Sequence, residues 1–426
     1  MGRRVRRFIV AVALAALTSL GLATSALAQS PAWTPLPGLQ LTGKGPAEVW
    51  GLAANPADPQ QLLAATSRGV YSSQDGGQSW SATPVRSWTW QVAYAQGQAF
   101  AATETQGIYR NSGSGWVQDT LGLGSLDVRA IATSPTAVVV GTSSGVYVSG
   151  TGLGWEPAGL QGVSISSVAI TSASPLSVLA GSDSQMSSTN LYMNGAAATS
   201  KAWQAVTGAD PQGAPVFAIG VGPLARGAAA APVLVGTLKG LFSTTDGGAN
   251  WQQLSLANGA LWAVNTIAFD PLNPSVVYVG GDNGGSSGGG MQRSVNGGSS
   301  WAPYQLGLPA TDVTGLLAEP TTPVTVLAAV WRPLAQSGAA AKLVDTSAPG
   351  PVPLQPSSAT SPIPISPPPT PAATPTPAPH PQNRGPSLQI PAWAPPAAAA
   401  VVVVLVVATV MALRRRRERL DAEAPP

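Results

Sequence analysis

A short glycine-rich segment that occurs three times is the feature that most constrains how this chain can fold. It reads SSQDGGQSWS at residues 72–81, STTDGGANWQ at 243–252 and RSVNGGSSWA at 293–302. Tryptophans recur along the same part of the chain, at Trp33, Trp80, Trp116, Trp155, Trp203, Trp251 and Trp301. Self-similarity at a spacing of 36 to 50 residues indicates a repeat architecture in which each repeat is one small structural unit.

Each repeat contains the same order of apolar and turn-forming segments. An apolar stretch ends in proline, as in VWGLAANP and NTIAFDP, and a second stretch ends in Gly-Thr or Ala-Thr, as in VVVGT and LLAAT. A third stretch such as GVYVS follows a tight turn, and the tryptophan opens a fourth. Four short strands are too few to bury their own faces, but a ring of such sheets buries them against one another. The predicted fold class is all-β, a seven-bladed β-propeller of four-stranded antiparallel blades.

The two ends of the repeat region predict how the ring closes. Residues 31–39, PAWTPLPGL, look like a last strand with no blade before it. Residues 311–346 offer three strands and no last one. We therefore expect the N-terminal strand to complete the final blade, which gives seven blades. Because the second and fourth repeats are degenerate, six or eight blades are the alternative.

The repeated segment resembles the Asp-box, or BNR, repeat. The first copy carries the resemblance on Ser73, Asp75, Gly77 and Trp80, and the other two match it at Asp246, Gly248, Trp251, Asn296, Gly298 and Trp301. Asp-box propellers include bacterial sialidases, sortilin-type receptors, xyloglucan hydrolases and photosystem II assembly factors, and the likeness covers about three quarters of the chain. It implies a hairpin between the third and fourth strands of a blade, away from the ligand face. Since Asp, Asn and Gly build tight turns, these residues are interpreted as structural.

Composition excludes several kinds of chemistry. The chain has no cysteine, which rules out disulfides, thiolate nucleophiles and Cys-ligated metals. Its one histidine, His380, lies in a proline-rich stretch, so His-dependent catalysis and His-bound metals are not expected in the folded part. Residues 29–348 hold 11 Lys/Arg against 15 Asp/Glu, a net charge of −4, which does not favour nucleic acid as a partner. No cofactor or metal is predicted.

Both ends of the chain carry membrane signals. Residues 1–28 combine a basic start, an apolar run and Ala-Leu-Ala, which is typical of a cleaved signal peptide, with an uncleaved anchor as the alternative. After the propeller at 29–348, residues 349–391 are rich in Pro, Ser and Thr and predict an extended, disordered stalk. Residues 392–413 are apolar and long enough for one transmembrane helix, and 414–426 form a basic tail. The arginines predict a cytoplasmic C-terminus and a propeller outside the cytoplasm at the cell membrane.

The predicted ligand-binding residues come from aligning the repeats on their innermost strands. Each repeat then contributes one equivalent position, namely Trp50, Trp90, Arg129, Ser166, Phe217, Asn265 and Thr314. Trp262 and Arg332 lie in loops expected on the same face. A ring of aromatic, cationic and amide side chains near the tunnel axis could stack on a sugar or hold a peptide. Packing of the aromatic rings between blades is the alternative interpretation.

No catalytic residue is predicted, and the favoured function is binding of a protein or glycan ligand, or service as an assembly scaffold. The alternative is a glycoside hydrolase, sialidase- or xyloglucanase-like, with a diverged active site. The Phe/Tyr-Arg-Ile-Pro signature of sialidases is absent, and Arg86, Arg129 and Arg332 are the candidates for an arginine triad. Paired-carboxylate hydrolysis needs two facing acids, for which the candidates are Glu48, Asp127, Asp282 and Asp312.

Overall fold

The computed structural model describes residues 32–37, 39, 41, 48–150, 153–173, 175–185, 187–195, 202–206, 213–257, 263–282, 290–309, 312–332 and 337–355, without the side chains of residues 332 and 337. The predicted signal peptide and transmembrane helix, and nearly all of the predicted stalk, lie outside these residues. Within the described residues, no helix has the length and hydrophobicity needed to cross a membrane.

Across the described parts of the chain, 28 strands form seven four-stranded antiparallel sheets, or blades. Blade 1 contains β2 (Val49–Asn55), β3 (Asp58–Thr66), β4 (Gly69–Ser73) and β5 (Ser81–Ala82). Blade 2 contains β6 (Thr89–Ala95), β7 (Gln98–Thr103), β8 (Gly107–Asn111) and β9 (Trp116–Asp119). Blade 3 contains β10 (Val128–Thr133), β11 (Val138–Thr142), β12 (Gly145–Ser149) and β13 (Glu156–Gly159).

The next three blades repeat this order. Blade 4 contains β14 (Ser167–Ala173), β15 (Leu176–Gly181), β16 (Leu191–Asn194) and β17 (Trp203–Ala205). Blade 5 contains β18 (Val216–Val221), β19 (Val233–Thr237), β20 (Gly240–Thr244) and β21 (Gln252–Leu254). Blade 6 contains β22 (Ala263–Asp270), β23 (Asn273–Asp282), β24 (Met291–Ser294) and β25 (Ala302–Pro303).

Blade 7 joins the two ends of the propeller. Three of its strands are β26 (Asp312–Glu319), β27 (Val324–Arg332) and β28 (Ser337–Asp345), and the fourth is the N-terminal β1 (Thr34–Leu36). β1 pairs with β28 in antiparallel register, with Pro35 opposite Ala341. The predicted seven-bladed ring, closed by the N-terminal strand, is therefore confirmed.

The core is divided among the seven interfaces between neighbouring blades, as the repeat predicts. Each interface has its own cluster of buried Val, Leu, Ala and aromatic side chains. Small residues are needed in the second strands because the next blade approaches closely. At Gly236 in β19, for example, an added Cβ would lie 2.5 Å from the Val264 carbonyl oxygen of blade 6. The Gly-Thr and Ala-Thr strand ends thus place a small side chain where the blades meet.

The three glycine-rich segments form hairpins between the third and fourth strands of blades 1, 5 and 6. In the first, Asp75 accepts hydrogen bonds from the Ser79 amide at 2.9 Å and the Ser73 hydroxyl at 2.7 Å. Gly76 and Gly77 have φ values of 68° and 91°, which other residues rarely adopt. The Trp80 indole donates to the Gly77 carbonyl at 3.1 Å. Each hairpin is stabilised by its own local contacts.

After β28 the chain continues along the propeller as the C-terminal strap, residues 346–355. The Val352 amide donates to the Leu272 carbonyl at 3.1 Å, in the turn between the first two strands of blade 6. Further on, Leu354 forms an antiparallel bridge with Ala225 of blade 5. These turns follow the ends of the first strands, so the strap lies on the propeller face opposite the starts of those strands.

Candidate functional site

The first strand of each blade lines a central tunnel, and the seven equivalent positions surround one end of it. Two cavities occupy this end, of about 280 and 530 Å³, and both are lined by the same ring. The shared lining residues are Trp50, Trp90, Arg129, Ser166, Phe217, Asn265 and Thr314. We call this end the tunnel mouth. The larger cavity falls within the range of small-molecule sites, roughly 300 to 1,000 Å³.

A β-bulge turns most of these side chains toward the tunnel. In six blades the pairing of the first two strands shifts register across the ring residue, for example between Val49 and Gly51 around Trp50. The same shift surrounds Trp90, Arg129, Phe217, Asn265 and Thr314. A bulge adds one unpaired residue and redirects its side chain. In blade 4, Ser166 instead precedes β14.

Two predicted ligand-binding residues are not located by the structure. Trp262 lies outside the described residues. Arg332 ends β27, but only its backbone is described. Ligand binding by members of the ring stays a prediction.

Trp50, Trp88 and Trp90 form a continuous wall on one side of the mouth. Their ring centroids lie 5.3 to 5.9 Å apart, in tilted arrangements typical of aromatic pairs. All three rings are half-buried, and all three indole nitrogens lack a hydrogen-bond partner among the described residues. The rings therefore pack across the junction of blades 1 and 2, and Trp50 and Trp90 also face the cavity. Trp88, which directly precedes β6, was not among the aligned positions.

Farther along the ring, Arg129 is held by carboxylates from two blades. Its guanidinium donates to Asp127 Oδ2 at 2.9 and 3.0 Å, and to Asp183 Oδ2 at 3.1 Å. The Ser164 hydroxyl accepts from Arg129 at 3.0 Å and donates to Asp183 Oδ1 at 3.1 Å. Burial lowers the pKa of Arg129, but the neighbouring carboxylates more than offset it, so that the net shift is upward. This group stays charged and bound to its partners. Asp183, which sequence reasoning missed, reaches the cavity from the end of the second strand of blade 4.

Two polar members of the ring hydrogen-bond to the next blade. The Ser166 hydroxyl donates to the Val216 carbonyl at 2.7 Å, and the Thr314 hydroxyl donates to the Val49 carbonyl at 2.5 Å. Such bonds satisfy carbonyls that would otherwise be unpaired near the bulges. Ser166 and Thr314 thus connect blades.

The acid–base groups at the mouth are few. Among the described residues lining the larger cavity, only Arg129 and Asp183 have ionisable side chains. Burial raises the pKa of Asp119, Asp270 and Glu319, yet none of these three lines either mouth cavity. The described part of the chain also contains no group of three or more His, Cys, Asp or Glu arranged to hold a metal ion. Of the predicted acid candidates, Asp127 is bound to Arg129.

Comparison with solved structures shows similarity of fold. The chain resembles YCF48 from Cyanidioschyzon merolae with a TM-score of 0.52 and 16% identity, over 73% of this chain and 98% of that one. It resembles the GH74 xyloglucanase from Xanthomonas campestris with a TM-score of 0.51 and 17% identity, over 72% of this chain and 55% of the enzyme. The WD40 propeller domain of Doa1 matches with a TM-score of 0.52 and 12% identity, over 74% of this chain and 96% of that domain.

No protein-family model matches the sequence, and no curated protein matches it. The identities to the solved structures are low enough that they establish the propeller alone. A propeller fold does not by itself fix a function, which depends on the residues of the tunnel mouth.

Proposed function

We propose that this chain is a non-catalytic propeller held at the cell membrane, which binds a protein or glycan ligand at its tunnel mouth. The observation that carries the proposal is the wall of Trp50, Trp88 and Trp90 beside an open cavity. Trp50 and Trp90 present their rings to that cavity, and such aromatic faces suit a ligand that stacks on them. Aromatic walls with a few polar groups are typical of binding sites.

The proposed location outside the cytoplasm depends on the terminal segments. Residues 1–28 carry the features of a signal peptide, and 392–413 those of a membrane-spanning helix followed by a basic tail. The proline-rich residues 349–391 would act as a spacer between helix and propeller. In this arrangement, the propeller serves as a tethered receptor or as a scaffold for assembly.

The three glycine-rich hairpins are proposed to be Asp-box repeats with a structural role. Asp75, Asp246 and Asn296 each accept hydrogen bonds from the backbone and side chain of their own turn. None of the three lines the mouth cavities. Their bonding capacity is used within the hairpin, which supports turn formation as their task.

Binding at the mouth can be tested with the full-length protein and its Trp90→Ala variant. Each is immobilised in a detergent without a sugar headgroup and exposed to envelope extract from the source organism. Retained proteins are identified by mass spectrometry and retained glycans by monosaccharide analysis. We expect retention by the wild type and loss in Trp90→Ala. Trp116→Ala, which removes a half-buried tryptophan from the outer strand β9, is the matched control and should retain the ligand.

Equal retention by all three proteins would contradict a site at the tunnel mouth. Release of reducing ends from a glycan by the wild type would favour the hydrolase alternative. Trp90-dependent retention of a protein would support a scaffold or receptor. Trp90-dependent retention of a glycan would support a carbohydrate-binding module.

A further inference from the structure

The tunnel mouth presents two kinds of surface that together restrict the chemistry of a ligand. One is the tryptophan wall, in which Trp50 and Trp90 present flat apolar faces to the cavity. The other is the Arg129 cluster, in which one guanidinium is surrounded by carboxylates. These two surfaces line the same cavity, because Trp50, Trp90, Arg129 and Asp183 all contribute to it.

The Arg129 cluster does not behave as an anion receptor. Four N–H groups of the guanidinium are engaged, by Asp127, Asp183 and Ser164. Glu104 lies near enough to raise the pKa of Arg129 further, so that one positive charge faces three negative ones. Only one N–H of Arg129 is left for a ligand, so a bidentate anion would have to displace Asp183 or Asp127, and any anion would lie beside both carboxylates. Like charges in a partly buried site repel strongly, so this cluster disfavours carboxylate, sulfate and phosphate groups.

The same cluster favours a ligand that donates hydrogen bonds. Asp183 reaches the cavity, and its carboxylate oxygens are acceptors. Asn265 lines the same cavity with an amide that also donates, so a matching ligand needs acceptors as well. Hydroxyl groups are both donors and acceptors, and the C–H faces of a sugar ring pack on aromatic rings. The exposed Arg86, in the loop before Trp88, is a solvated cation that adds little to anion binding.

We propose that the tunnel mouth binds an uncharged carbohydrate and discriminates against anionic ones. This inference rests on the proposed function and names the ligand class. A sugar ring stacks on Trp50 and Trp90, its oxygens accept from the Asn265 amide, and its hydroxyls donate to Asp183. The carboxylates that neutralise Arg129 provide the discrimination.

Matched pairs of neutral and acidic oligosaccharides test the proposal. The full-length protein is titrated by calorimetry and tryptophan fluorescence, in a polyoxyethylene detergent because glycoside detergents carry sugars themselves. The pairs are galactan with galacturonan oligomers and mannan with mannuronan oligomers, supplemented by α- and β-glucans. We expect at least one neutral oligomer to bind, and its acidic counterpart to bind about tenfold more weakly or worse, which corresponds to roughly 1.4 kcal/mol.

Four variants separate the contributions of wall and cluster. Trp50→Ala should weaken binding of the neutral oligomer by about tenfold or more, equivalent to roughly 1.4 kcal/mol. Trp88→Phe leaves both cavity-facing rings in place, because Trp88 lines neither cavity, and should weaken binding by a smaller factor. Asp183→Asn should reduce the difference in affinity between neutral and acidic oligomers, because it removes a negative charge from the cavity. Glu156→Gln, an equal change of charge on the exposed strand β13, should leave that difference in affinity unchanged.

Tighter or equal binding of the acidic oligomer would overturn the proposal. So would the failure of every oligosaccharide to bind. In that case, a protein retained in a Trp90-dependent manner from envelope extract would preserve the proposed function while removing carbohydrate as the ligand. Absence of any Trp90-dependent ligand would contradict both.

Discussion

The indole N–H of Trp33 donates a hydrogen bond to the Tyr304 carbonyl at 2.8 Å, although 271 residues separate them. Trp33 directly precedes β1, and its amide also donates to the Leu306 carbonyl at 2.8 Å. Its ring is buried in the cluster between blades 6 and 7. The N-terminal segment therefore closes the ring in two ways. β1 pairs with β28, and Trp33 packs against blade 6.

Replacing Trp33 should weaken ring closure. Trp33→Phe keeps an aromatic ring but leaves the half-buried Tyr304 carbonyl without its donor, so we expect a loss of about 1–3 kcal/mol in the free energy of unfolding. Denaturant titration followed by circular dichroism measures it. Trp116→Phe on the outer strand β9 is the comparison and should cost less. An equal loss in both variants would argue against a special role for Trp33.

Asp345 links blade 7 to blade 6 through a buried polar cluster. It is fully buried and accepts hydrogen bonds from Arg293 at 2.6 Å and from Tyr278 at 2.6 Å. Burial raises the pKa of Asp345, but these hydrogen bonds outweigh it and the net shift is downward. Ionised Asp345 therefore stabilises the folded protein fully above the usual carboxyl pKa. This stabilisation is lost as the pH falls through the lowered pKa of Asp345.

Asp345→Asn leaves Arg293 without its buried counter-charge. We expect a loss of about 3–5 kcal/mol in the free energy of unfolding at neutral pH, as for other broken buried ion pairs. Ser347→Ala removes one weaker hydrogen bond to the same carboxylate and should cost about 1 kcal/mol. Denaturant titration of the wild type and of each variant measures both losses. If Asp345→Asn destabilised the protein less than Ser347→Ala, the charge of Asp345 would not stabilise the blade interface.

The first hairpin should be sensitive to acid. Hydrogen bonds from the Ser79 side chain, the Ser79 backbone and Ser73 lower the pKa of Asp75 to about 2. The unfolded carboxyl titrates near 3.9, so the contribution of Asp75 is complete above about pH 4 and declines as the pH falls toward about 2. NMR titration of the Asp75 carboxyl checks the pKa directly. A value near 3.9 would contradict these hydrogen bonds.

Asparagine should remove this acid sensitivity without breaking the turn. In the third hairpin Asn296 already accepts from the Ser300 amide at 2.9 Å and donates to its hydroxyl at 2.8 Å. We therefore expect Asp75→Asn to fold normally at pH 7 and to lose less stability between pH 4 and 2 than the wild type. Thermal unfolding at both pH values measures the difference, and an unchanged pH dependence would show that other carboxylates control it.

The C-terminal strap can be tested with one engineered disulfide. Ala225 and Leu354 are partners in an antiparallel bridge, and Cα atoms in such pairs lie about 4.5 to 5.5 Å apart, within reach of a disulfide. Because the chain has no cysteine, Ala225→Cys with Leu354→Cys should give one intramolecular bond, detected by intact mass. Ala225→Cys with Ser347→Cys is the control and should stay reduced. Failure of the first pair to oxidise would mean that the strap is not seated in solution.

Local chemistry made most of the fold predictable from the sequence. The Asp-Gly-Gly hairpins use hydrogen bonds within a few residues, and the Gly-Thr strand ends place a small residue at each blade contact. The unmatched segments at 31–39 and 311–346 also predicted the closing of the ring, because a lone strand and a three-stranded sheet complete each other. The hairpins and strand ends follow from neighbours in the chain, and ring closure follows from counting the strands, so residue order is enough to predict all three.

The construction of the tunnel mouth depends on how the blades are assembled. The bulges that direct Trp50 and Arg129 to the tunnel arise where two strands fall out of register, which residue order does not reveal. Asp183 meets Arg129 across 54 residues because their blades are adjacent in the ring. The strap reaches blade 5 by crossing blade 6, although its sequence belongs to the proline-rich segment. Each of these contacts depends on how separate blades are placed, and that placement is a property of the closed ring.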